Sequence, residues 1–246
     1  MESIKIGFRF LKSDQKPELY REELWRYLAC LYLNGQILKS YSLVSRPGGF
    51  DAYATIPAPD ALEPASHSVY GKSMRAKLQN SFALSVEGLG RNEDCGEPCG
   101  CGSPSCYLLY PEYGSEESPL RCGDCGGSIP LYKVPYIFGE EEHNSLLHWF
   151  EAYRAIDKLW MHGTSDRFSY RQLNHPDSSL FREGRKICRA LETALHKPVY
   201  HFVFHAGKDQ PVCPSCQQPW QSFGDQEVMD YKCDNCRLAT EKNRCP

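Results

Sequence analysis

The chain predicts an α+β fold: an N-terminal α/β sandwich, a central Cys-rich zinc-stapled insertion, a run of helices and a C-terminal four-cysteine zinc ribbon. Three observations carry this. Hydrophobic periodicity over residues 1–90 changes in the order β-α-β-β-α-β. Six of the thirteen cysteines fall between positions 91 and 130. Two CxxC pairs, Cys213-Pro-Ser-Cys216 and Cys233-Asp-Asn-Cys236, have sixteen residues between them.

Residues 4–11 (IKIGFRFL) read as a strand. Residues 17–38 read as an amphipathic helix with Pro17 in its first turn and Leu19, Leu24, Leu28, Leu31 and Leu38 near helical spacing. Strands at 40–45 and 50–56 flank the Pro47-Gly48-Gly49 turn. A helix over 68–80 and a strand over 81–88 complete the first domain, residues 1–90. Residues 91–142 change character: Gly, Pro, Ser and Cys dominate, and 3 basic face 10 acidic residues. Such a stretch builds no apolar core of its own, so metal is its natural staple. Residues 143–206 follow, expected to pack on the first domain. They hold a helix at 143–162 with Leu146, Phe150, Tyr153, Ile156 and Trp160 inward, and a helix at 177–196 capped by Asp177 or Ser178. The alternating strand 198–205 (PVYHFVFH) ends this region. Residues 207–246 form the ribbon.

The ribbon ligands are Cys213, Cys216, Cys233 and Cys236. Two CxxC knuckles supply the four soft donors of a closed tetrahedral Zn²⁺ site, with no open position for catalysis. In the central segment Cys122-Gly-Asp-Cys125 is a second knuckle, its glycines permitting the tight turn. Its partner pair comes from Cys95, Cys99, Cys101 and Cys106; the preferred set is Cys99, Cys101, Cys122 and Cys125, with reactive or redox thiols as the competing reading. Cys245 is a spare thiol in the tail.

A chain of 246 residues with 41% hydrophobic content supports a real core. No stretch approaches the roughly 20 apolar residues of a membrane span. The N-terminus reads as a strand rather than a signal peptide, which places the protein in the cytoplasm, where cysteine-rich chains favour metal over disulfides. No GxSxG, HExxH, P-loop or H-x-E…PCxxC pattern is present, so an enzyme is not expected. His143 and His148 stand five apart, a poor helical metal pair. His201 and His205 share one strand face, expected to be half-exposed.

Charge points to the partner. The formal net charge is −3, and two four-thiolate zinc centres take it to about −7. The acidic segment suits a protein partner with a basic surface, such as a nuclease-type toxin held by a cytosolic inhibitor or immunity protein. The alternative is nucleic-acid binding through the ribbon and through Arg182, Arg185, Lys186 and Arg189. Arg182, Arg185 and Arg189 share one helical face, and Trp220, Phe223 and Tyr231 are available for stacking. Ion pairing on a solvated helix, and a small ribbon core, are the plainer roles for these residues.

The run Ser118-Pro-Leu-Arg-Cys-Gly-Asp-Cys-Gly-Gly-Ser-Ile-Pro-Leu-Tyr-Lys133, with Arg185-Lys-Ile-Cys188 and Lys232-Cys-Asp-Asn-Cys-Arg-Leu238, resembles a bacterial family of unknown function. That family is described as zinc-ribbon-containing and as a candidate nucleic-acid binder. The resemblance covers mainly residues 99–238. It implies a CxC pair matching Cys99 and Cys101 as ligands, and it implies that Cys95 and Cys106 are not fixed ligands.

Overall fold

A computed structural model describes residues 1–12, 17–205, 210–224 and 229–241; Cys245 lies outside them. The fold is α+β. Its contacts divide the chain into two compact units, Met1–Pro98 with Pro130–His143, and Cys99–Ile129 with Asn144–Pro246.

The first unit runs β1 (Glu2–Phe10), α1 (Arg21–Leu33), β2 (Ser42–Arg46), β3 (Gly49–Ile56), α2 (Val69–Gln79) and β4 (Phe82–Arg91). The strands pair antiparallel in the order β2-β3-β1-β4. This is the ferredoxin-like split β-α-β arrangement. Ile4, Ile6 and Phe8 alternate along β1 and bury their side chains with Leu24, Leu28 and Leu31 of α1 and Leu78 of α2. The β2–β3 turn requires glycine, because a Cβ on Gly49, at φ +155°, would collide with the Phe8 carbonyl oxygen. Ser68 caps α2 by accepting the Gly71 amide at 3.0 Å.

The helix expected over 17–38 is shorter at both ends. Pro17 sits in a separate 3₁₀ turn, Pro17–Leu19, and α1 stops at Leu33. A polar cluster stops it. Asn34 and Gln36 are fully buried, and their amides donate to the Ser66 and Ala61 carbonyls at 2.7 and 2.5 Å. Buried amides demand partners, and the chain turns here to reach them. Residues 130–143 return to the same place. The His143 amide bonds the Leu33 carbonyl at 2.9 Å, Tyr136 donates to Asn34 Oδ1 at 2.7 Å, and Ser68 donates to Glu142 at 2.9 Å.

The second unit contains β5 (Tyr107–Leu109), β6 (Leu120–Cys122), α3 (Asn144–Met161), α4 (Asp166–Asn174), α5 (Ser179–Leu195), β7 (Val199–Phe202), β8 (Gln221–Ser222), β9 (Tyr231–Cys233) and β10 (Leu238–Thr240). Its sheet runs β6-β5-β7-β10-β9-β8, and β7 is parallel to both β5 and β10. Ser178 caps α5. His201 is buried at 2% exposure, not half-exposed. Its ring lies 4.6 Å from Phe181 and 5.8 Å from Trp149. Gly184 of α5 makes room for it, since a Cβ there would collide with His201 Nε2.

These boundaries differ from the segments read from composition. The acidic stretch 91–142 is shared out, with 99–129 in the second unit. Within the segment 143–206, β7 joins one sheet with the ribbon strands. The cause is non-local hydrogen bonding, which composition does not register. Among the described residues no helix is long and apolar enough to cross a membrane.

Gly184→Ala forces a methyl group into the His201 ring. It should lower stability by about 1–3 kcal/mol, read as a fall in the urea midpoint with an unchanged slope. Burial pushes His143 down to about 4. The unfolded chain therefore binds this proton more readily, and stability should drop as pH falls from about 6.5 towards 4. The contribution is on the order of 3 kcal/mol. In His143→Leu the stability difference from the parent should shift by that amount between pH 7 and pH 4; parallel pH curves for the two proteins would refute it.

Candidate metal centres

Both cysteine sets lie in the second unit. The Sγ atoms of Cys99, Cys101, Cys122 and Cys125 lie within 4.8 Å of one another, and so do those of Cys213, Cys216, Cys233 and Cys236. Cys95 and Cys106 belong to neither group.

The central site hangs on the β5–β6 hairpin. Cys122 ends β6, and its amide bonds the Gly127 carbonyl at 2.9 Å while the Gly126 amide bonds the Cys122 carbonyl at 3.0 Å. These bonds curl Cys122–Cys125 into a knuckle, with Gly126 at φ +73°. The Cys99 amide bonds the Ser128 carbonyl at 2.9 Å and so docks the Cys99-Gly-Cys101 loop beside it. The Cys101 and Asp124 amides point at the Cys99 and Cys122 sulfurs at 3.3 and 3.4 Å.

The C-terminal site repeats the device. The Cys213 amide bonds the Gln218 carbonyl at 2.8 Å and the Gln217 amide bonds the Cys213 carbonyl at 2.9 Å. Cys233 ends β9. The residue after the second cysteine has positive φ in both knuckles, Gln217 at +58° and Arg237 at +51°. Neither is glycine, so each carries roughly 1–2 kcal/mol of backbone strain. Arg237 is held there by its bond to the Asp234 carbonyl at 2.8 Å and by Glu192 at 3.2 Å. The Gln218 amide, ahead of the neighbouring thiols, pulls the Cys216 thiol down to about 7. At Cys125 burial acts upward, but the Gly127 amide and the facing thiols bring it below its ordinary value.

The donor sets fit a tetrahedral thiolate metal site. Four sulfurs at about 2.3 Å from a zinc ion stand about 3.8 Å apart, and Cys216 Sγ lies 3.6 Å from Cys233 Sγ. The two sites differ in their walls. Cys213 and Cys233 are buried with Phe181, Val203 and Leu238, whereas Cys101 and Cys125 are exposed.

The basic helix is altered by the fold. Arg182, Lys186 and Arg189 are exposed on α5, and Lys186 pairs with Glu183 at 3.7 Å. Arg185 turns inward and donates to the Arg237 carbonyl at 2.7 Å; burial pushes its guanidinium down. The exposed row is therefore 182, 186 and 189, and Arg185 ties α5 to the ribbon. Trp220 packs on the cluster around Cys213 and its indole donates to the Gln210 carbonyl at 2.8 Å. Phe223 lies 5.4 Å from Tyr200.

Sequence reading missed the ring of contacts around the central knuckle. Ser105 donates its amide to Asp124 at 2.7 Å, and Cys106 Sγ sits over Gly123, where it would collide with a Cβ. The Gly-Asp inside the knuckle was the available signal: a small residue where another chain segment approaches, and a carboxylate to hold that segment. Cys188 is a buried thiol on α5, raised by burial to about 12.

Residues 101–204 match a family described as a domain of unknown function, DUF2310. The chain is similar to an uncharacterized protein of Haemophilus influenzae, 26% identical over 88% of this chain and 86% of that protein. It is also similar to a second uncharacterized protein of the same organism, 29% identical over 56% of this chain and 71% of that protein. No solved structure matches the chain.

Cys233→Ser should remove one metal ion per chain, leaving the central site loaded, because each site has its own four donors. The amides of His201 and Val203, which bond Arg237 and Ala239 of the ribbon, should then exchange faster with solvent. Unchanged metal content and unchanged exchange would show that this cysteine holds no metal.

Proposed function

We propose that this chain is a non-catalytic, cytoplasmic zinc-binding recognition protein that binds a protein partner presenting a basic surface, the class to which nuclease-type toxins belong. One observation carries the reading. Both sulfur sets are complete four-donor sites whose sulfurs crowd one another, so a bound Zn²⁺ has no coordination position left for water or substrate. Zinc in such sites holds protein together and supplies no reaction. The buried histidines His143 and His201, both held well below their ordinary values by desolvation, are sealed in the interior and out of reach of a substrate.

Charge supports the partner class. With two zinc-thiolate centres the chain carries about −7, and Glu93, Asp94, Glu97, Glu112, Asp124 and Glu141 are exposed within 91–142. Complementary charge of this kind speeds encounter with a basic partner. The second reading is nucleic-acid binding, favoured by the exposed row Arg182, Lys186 and Arg189 on α5. It predicts affinity that falls steeply with salt.

Affinity purification of the full chain from its own host, with and without nuclease digestion, separates the two. A stoichiometric basic protein that survives digestion supports the first reading. Nucleic acid that co-purifies, with protein lost on digestion, supports the second and overturns the first.

A further inference from the structure

The two cysteine sets are alike in donors and unlike in access. In the C-terminal set Cys213 and Cys233 are buried, at 0% and 5% exposure, and Cys216 and Cys236 are half-buried. Trp220, Phe181 and Leu238 belong to the same apolar cluster. In the central set Cys101 and Cys125 are exposed. Cys101 comes from the CxC loop and Cys125 from the far end of the knuckle, and their sulfurs lie within 4.8 Å of each other. The two exposed cysteines of the metal-binding sets are therefore close neighbours.

We propose that Cys101 and Cys125 are a site of oxidation by hydroperoxides, at which disulfide formation expels the central metal while the C-terminal centre keeps its own. This rests on the reading of both sets as zinc sites. Thiolate oxidation follows exposure, and none of the four C-terminal cysteines is exposed, two being buried and two half-buried. The two thiolates give up two electrons and form one S–S bond. The O–O bond of hydrogen peroxide breaks, and with two protons it leaves as two molecules of water. The ion, left with only the Cys99 and Cys122 donors, departs as Zn²⁺, and those two sulfurs take up protons from solvent. A dithiol reductant together with Zn²⁺ reverses the change.

Cys106 provides the internal control. Its sulfur lies against Gly123 within the knuckle, but it is 9% exposed and belongs to neither donor set. It takes no part in the disulfide.

The test uses the full chain, with zinc counted before any oxidant is added. Hydrogen peroxide is then added, released zinc is followed with a chromogenic chelator, and disulfides are mapped by mass spectrometry. The expected result is loss of one of two zinc ions per chain, with a Cys101–Cys125 disulfide and an intact C-terminal set. Cys106→Ser should release the same ion at the same rate. Release of both ions together, earlier release from the C-terminal set, no release, or a disulfide through Cys106 would overturn the proposal while leaving the zinc sites standing. A central set that holds no zinc at the outset would overturn the zinc reading and this proposal with it.

Discussion

Parallel pairing on both edges of one short strand organises the second unit. β7 spans only Val199–Phe202, yet it is parallel to β5 on one side and to β10 on the other. The His201 and Val203 amides bond the Arg237 and Ala239 carbonyls, and the Tyr107 amide bonds the Pro198 carbonyl. Each neighbour belongs to a hairpin that carries a cysteine set. The two candidate metal centres are thus held on opposite sides of the same strand. The helix α5 that precedes β7 covers it through Phe181 and Gly184.

The hairpins have strands too short to stand alone, and each carries one of the two four-cysteine groups that could hold a metal ion. β5, β6, β9 and β10 have three residues each and β8 has two. Isolated pairs of this length are not stable in water. The first unit solves the same problem by apolar burial: β1 has nine residues and β4 ten, and the inward side chains of the sheet meet two helices. Metal bound at the two four-cysteine groups of the second unit would add folding free energy of a different kind from this apolar burial.

Polar burial sets the limits of the first unit. Asn34 and Gln36 are fully buried and reach Ser66, Ala61 and Tyr136 by hydrogen bonds. His67 is tied into the same cluster by the Tyr27 hydroxyl at 3.1 Å. Each group costs free energy unless it is paired. The cluster therefore specifies where α1 ends and where residues 130–143 return.

Local features could be read from the order of residues. The βαββαβ pattern was legible because inward residues repeat at two or at three to four positions, and the knuckles were legible because tetrahedral sulfur coordination imposes a short spacing between ligands. The helix cap at Ser178 and the β2–β3 turn at Gly48-Gly49 were legible for the same local reason. Long-range contacts settled the remainder. They ended α1 at Leu33, turned Arg185 inward to the Arg237 carbonyl, buried His201, divided 91–142 between two units and joined the ribbon to β7. Each of these rests on a bond or a packing contact between residues far apart in the chain, and nothing in either partner's neighbours along the sequence reveals that the other will be there.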